Sequence, residues 1–99
     1  MTDKQDPKTQ GTPFRVSLEV PLKTPNGEVK TITFRRGQVK DMMAAQRVEP
    51  SDNAQRELVL MSMLAEEKLT PEDLQELDLA DMAEVQAAFQ LLFVRRTRA

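Results

Sequence analysis

Arg15-Val16-Ser17-Leu18-Glu19-Val20-Pro21-Leu22-Lys23-Thr24-Pro25-Asn26-Gly27-Glu28-Val29-Lys30-Thr31-Ile32-Thr33-Phe34 is the stretch on which the fold turns. Val16, Leu18, Val20 and Leu22 alternate with Arg15, Ser17 and Glu19, the period-2 pattern of a half-buried strand. Pro21 cannot donate to a ladder and so points to an edge position. Thr24-Pro25-Asn26-Gly27 supplies the residues of a tight turn, with Pro pre-setting φ and Gly free to go left-handed. The segment predicts a β-hairpin. A two-residue Asn-Gly loop would set Leu18 and Val20 against Arg35 and Thr33 and mix apolar with polar side chains. A three-residue Pro25-Asn26-Gly27 loop pairs Val20 with Ile32 and Leu18 with Phe34, all on one face, and is the register expected. A lone hairpin is marginal in water, so its apolar face is expected to pack on the helices that follow.

Gly37 ends the second strand. Gln38 to Val48 predicts a short helix with Val39, Met42, Met43 and Val48 turned inward, stopped by Pro50. Ser51, Asp52 or Asn53 caps a second helix running to about Lys68. Its window from Leu58 to Ala65 is broken only by Ser62, so it is either the central element or is covered by a second subunit. Thr70-Pro71-Glu72-Asp73 predicts a capped helix start with Pro at the first position. Asp78 or Asp81 caps a final helix to about Val94, with Met82, Val85, Phe89 and Leu92 along one stripe. The fold class is therefore α+β: an N-terminal two-stranded antiparallel hairpin followed by three to four helices. In a chain of 99 residues this is one small domain. Its expected parts are a flexible N-terminal arm at residues 1–14, the hairpin-plus-helices domain at 15–94 and a basic C-terminal tip at 95–99.

Composition removes most chemistry. With neither Cys nor His, thiolate nucleophiles, imidazole bases, thiolate or imidazole metal sites and disulfides are excluded. The aromatics are Phe14, Phe34, Phe89 and Phe93, which leaves few stacking platforms. Enzymatic activity is not expected, and neither is a cofactor. The acidic run Glu72, Asp73, Glu76, Asp78, Asp81 and Glu84 lacks the central Gly of a calcium loop and fits helix caps and a solvated face better than a metal site. No apolar stretch is long enough to span a membrane and no signal-peptide region is visible, so the expected location is the cytoplasm.

Charge is unevenly spread. Residues 15–48 carry seven basic and three acidic side chains, residues 49–94 two and eleven, and residues 95–99 three and none. That pattern suits joining of copies or folding back of the tip. The candidate recognition helix of a helix-turn-helix, Pro71 to Glu76, carries Glu72, Asp73 and Glu76, which phosphate repels, so nucleic acid is disfavoured as a partner. Met61 and Met63, with Met42 and Met43, are either core gap-fillers or an adaptable binding surface. Leu91, Leu92, Phe93 and Val94 are consecutive and cannot all face one small core, which makes the end of the last helix the better interface candidate.

Ile32-Thr33-Phe34-Arg35-Arg36, the short helix with Asp41, Arg56-Glu57-Leu58, Leu69-Thr70-Pro71-Glu72-Asp73-Leu74 and Leu77-Asp78-Leu79-Ala80-Asp81, in that order, resemble the tail assembly chaperones of long-tailed bacteriophages, specifically the Mu-type group. The resemblance covers about residues 17–93. Gly37 stands where the family often has Pro, and Met82 where it often has an aromatic. It implies a non-enzymatic protein of the host cytoplasm, made during tail assembly and absent from the mature virion. Such a protein binds the tape measure protein, keeps it soluble and recruits major tail tube subunits, and many members also have a longer frameshifted form. The candidate partner-binding residues are Phe89, Leu91, Leu92, Phe93, Met61 and Met63, with self-association as a further use of the same surface. Two other readings are a small phage-encoded nucleic-acid-binding regulator using the hairpin and Arg95 to Arg98, and a structural tail subunit.

Overall fold

The structure, a computed structural model, describes residues 14–94. The element order is β1 (Arg15–Thr24), β2 (Gly27–Thr33), α1 (Val39–Val48), α2 (Asn53–Leu64), α3 (Pro71–Leu74) and α4 (Leu79–Gln90), closed by a 3₁₀ turn at Leu91–Phe93. An antiparallel hairpin followed by four helices is the α+β architecture read from the sequence. Of the arm expected at residues 1–14 only Phe14 is described, its C=O accepting from Phe34 N–H; the rest of the arm and the basic tip 95–99 lie outside the described residues.

The hairpin register differs from the one expected. The loop is the two residues Pro25 and Asn26, with Thr24 paired to Gly27, Lys23 to Glu28 and Leu22 to Val29. Gly27 takes φ 122°, a conformation side-chain-bearing residues rarely adopt, and the Thr24 hydroxyl fixes the turn by accepting from Asn26 N–H and donating to Gly27 C=O. Carried on unbroken, this register would leave Val16 out of step with Ile32. Instead the ladder shifts, so that Leu18, Glu19, Val20 and Pro21 lie opposite Lys30 alone, and Arg15, Val16 and Ser17 then pair with Thr33, Ile32 and Thr31. The bulge sits at the proline, where a ladder donor is missing anyway. Val20 consequently does not pair with Ile32; it is half exposed.

Helices α2, α3 and α4 each begin on a side-chain cap. The Asp52 carboxylate accepts from Gln55 N–H, Thr70 from Asp73 N–H, and Asp78 from Ala80 and Asp81 N–H. Thr70 and Asp73 form a reciprocal capping box ahead of Pro71. Helix α2 stops at Leu64, short of the expected Lys68, because the next residues are used as a strand. Ala65 bridges to Phe34, Arg35 N–H donates to Leu64 C=O, and Glu66 N–H donates to Thr33 C=O. The Glu67 carboxylate accepts from Thr33 N–H at 3.0 and 3.1 Å. The outer edge of β2 is thereby covered at its end, around Thr33, and the chain reverses at Lys68 with φ 60°. The last helix likewise ends early, at Gln90, and tightens into the 3₁₀ turn.

Helix α2 is the central element, burying Val59, Leu60, Met61 and Leu64. Around it Ile32 and Phe34 from the hairpin, Leu74 from α3, and Val85 and Phe89 from α4 complete the core. Phe34 meets Phe89 edge-on at 5.7 Å between ring centres.

Candidate functional site

Helix α1 is held to the rest of the chain by few side chains. Asp41 and Ala45 are its buried residues. Asp41 accepts from both terminal nitrogens of Arg35 at 3.3 Å and from Gln38 N–H at 2.8 Å. The Arg35 guanidinium, helped by the Gln38 N–H, holds the Asp41 carboxyl below its ordinary value. At the other end Arg56 clamps the turn between α1 and α2, donating to Glu49 C=O at 2.8 Å, Pro50 C=O at 2.6 Å and the Asn53 side chain at 2.9 Å. These polar ties fix where α1 stands without covering its apolar face.

That face points outward. Val39, Met42 and Met43, at spacings i, i+3 and i+4, are 73%, 51% and 53% exposed, and Val48 is also exposed. The inward packing expected for these four residues is not found. On the inner side of α1 the sequence supplies a small Ala45, whose methyl joins the core, and a charged Asp41, whose carboxylate pairs with Arg35; Arg35 in turn donates to the Met63 and Leu64 C=O groups of α2. The apolar stripe lies off that contact.

Opposite α1 stands the corner where α4 passes into the 3₁₀ turn. Between them runs an open groove of 350 Å³, lined among others by Met42, Arg56, Leu60, Phe89 and Phe93. It adjoins a smaller recess of 150 Å³ bordered by Val39, Met42, Leu64, Leu92 and Phe93. Phe93 is shared by both and is half exposed; its ring stacks edge-on against Phe89 at 5.4 Å. Phe34, Phe89 and Phe93 thus form a chain of rings from the core to the surface. With Met42 across the groove, the arrangement offers a polarizable, adjustable side chain facing a rigid aromatic edge. That combination suits the apolar face of a partner helix.

The residues singled out from sequence fall into two sets. Leu91 and Phe93 are exposed and Leu92 is partly so, at the corner described. Met61 is wholly enclosed by the chain's own core and Phe89 nearly so, its ring forming the groove floor; Met63 is partly buried. Met61 therefore has no surface to present. Val39 was not read as a surface residue, and Met42 and Met43, weighed as an adaptable surface but turned inward on their helix, were left out of the candidate set. The acidic run is divided among separate tasks: Asp73 and Asp78 cap helices and Asp81 accepts from the hairpin backbone. Among the described residues no three carboxylates gather as a metal site would need. No helix among them is long and apolar enough to cross a membrane.

A comparison with known families matches residues 15–94 to the family described as "Phage tail assembly chaperone proteins, E, or 41 or 14". The matched span is the whole hairpin-plus-helices domain, and the match does not single out the Mu-type group. Neither the curated proteins nor the solved structures include a match. Most of the chain being covered, this protein belongs to the phage tail assembly chaperones.

Proposed function

We propose that this chaperone binds the tape measure protein during tail assembly, keeps it soluble and recruits major tail tube subunits around it, without catalysing a reaction. The observation that carries this reading is the outward apolar stripe of α1 facing Phe93 across an open groove, in a domain whose own core is already complete. An amphipathic helix laid between Met42 and Phe93 buries both, and a long helix-rich partner supplies many such segments in turn. The surplus of carboxylates over residues 49–94 keeps the loaded complex soluble. The chaperone works in the host cytoplasm and leaves before the virion is complete.

Co-expression with the tape measure protein tests it. Leu92→Ser with Phe93→Ser abolishes co-purification while the far-ultraviolet circular dichroism stays helical. Loss of helicity would reassign the two residues to the fold, and retained co-purification would remove the groove from the interface. Mass spectrometry of purified virions finds no copy of the chain; its presence there would make it a tail subunit instead.

A further inference from the structure

The second open feature lies between β1 and α4 and owes nothing to the tape measure reading. Phe34 N–H donates to Phe14 C=O, so in the alternating antiparallel ladder Val16 also bonds across to Ile32, while Arg15 and Ser17 turn their N–H and C=O groups outward. Thr33, opposite Arg15, shows the same phase on the other strand, since its outward N–H and C=O are taken by Glu67 and Glu66. Along the outer edge of β1 the Asp81 carboxylate accepts from Glu19 and Val20 N–H at 3.0 and 2.9 Å. Arg15 and Ser17 N–H have no such acceptor among the described residues. They border a groove of 640 Å³ whose far wall is α4, with Glu84, Ala87, Ala88 and Leu91. Its charged side chains are Glu19, Asp81 and Glu84 against Arg15 alone.

An unfilled strand edge beside an acidic groove calls for an extended basic segment, and the chain owns one. Val94 leaves the 3₁₀ turn with φ −104° and ψ 130°, already extended, and is followed by Arg95-Arg96-Thr97-Arg98. Asp81 at the start of α4 meets Glu19 and Val20, and Leu91 lines the groove beside Arg15 to Ser17, so α4 runs against β1. A chain turning back after α4 then runs parallel to β1. Four extended residues reach about 13 Å, and Leu91 to Glu84 is about 10 Å along the helix. We propose that Arg95 to Arg98 of the same chain lie along the outer edge of β1 as a third, parallel strand, with their guanidinium groups on Glu84 and Glu19. Tethering a few residues from the groove gives this segment a local concentration of order millimolar, which the tip of a second copy reaches only in concentrated solution.

Amide hydrogen exchange of the full chain, read by NMR at two protein concentrations, tests the docking. Arg15 and Ser17 amides exchange about tenfold faster in the Arg95→Glu, Arg96→Glu, Arg98→Glu variant than in the wild type, the effect of one ordinary hydrogen bond. Glu19 and Val20 amides, held by Asp81, keep their protection and report that the domain is folded. Glu84→Lys with Glu19→Lys produces the same loss, and combining both charge reversals restores the protection. Unprotected Arg15 and Ser17 amides in the wild type, or equal protection in the arginine variant, would overturn the docking. Protection that grows with protein concentration would assign the groove to a second copy and overturn it equally.

Discussion

Replacing Asp81 by Ala removes the link between α4 and the bulge of β1, and the structure sets the size of the effect. The carboxylate is 3% exposed and accepts two backbone N–H groups, from Glu19 at 3.0 Å and Val20 at 2.9 Å. Hydrogen bonds to a charged acceptor contribute about 1.5–3 kcal/mol each. The full sum does not apply, because Glu19 and Val20 sit on an exposed stretch where water reaches their amides once the carboxylate is gone. The expected loss is therefore nearer about 2 kcal/mol than twice that. In a domain of this length it lowers the melting temperature by roughly 8–16 °C. Asp81→Asn keeps one acceptor oxygen but turns an NH₂ toward the other amide, and falls between wild type and Ala. Urea denaturation followed by circular dichroism measures the stability, and hydrogen exchange at Glu19 and Val20 locates the change. A loss under about 0.5 kcal/mol, the range of surface substitutions away from such contacts, would refute the reasoning, as would a loss with both amides still protected.

Asp41→Asn is expected to cost about 1–2 kcal/mol at neutral pH, discounted because Arg35 is 46% exposed. Since folding lowers the Asp41 pKa, its contribution is fully present above the unfolded value of about 3.9 and is lost as pH falls through the lower folded value. The gap between wild type and variant is then level from about pH 5 upward and narrows in acid; a gap that widens as pH falls in denaturant titrations would contradict this account. Met42→Ser with Met43→Ser, at half-exposed positions, changes stability by less than about 1 kcal/mol. It removes tape measure binding in the same co-purification assay, and binding that survives would take α1 out of the interface.

Local signals in the sequence were sufficient for the elements and their caps. Thr70 was the one cap candidate before Pro71, and of Ser51, Asp52 and Asn53, and of Asp78 and Asp81, the structure uses Asp52 and Asp78. The hairpin register was not legible, because two demands in one strand conflict. The turn around Gly27 favours one pairing and the apolar match of Val16 with Ile32 favours another. A strictly alternating pattern suggests a single register, whereas the chain satisfies both by bulging at Pro21. What stabilises the bulge is Asp81, sixty-two residues from Glu19, and no window of sequence shows that pairing. The early end of α2 has the same origin: Ala65 to Glu67 are good helix residues diverted to cover the open edge of β2.

The candidate site was half legible for a different reason. Helical spacing establishes that Val39, Met42 and Met43 form one apolar stripe, but it carries no sign saying which molecule covers the stripe. The inner face of α1 decides that. Asp41 and Ala45 are the residues α1 buries, the one paired with Arg35 and the other a single methyl, so its larger apolar side chains are left for something else. Conversely, the window from Leu58 to Ala65 is the richest in apolar residues yet gives little to the surface, because α1 and α3 lie against α2 and side chains from the hairpin and α4 share its core. Met61 is enclosed for the same reason that Met42 is not: position relative to the centre of a small domain, rather than residue type, sorts its methionines into core and contact surface.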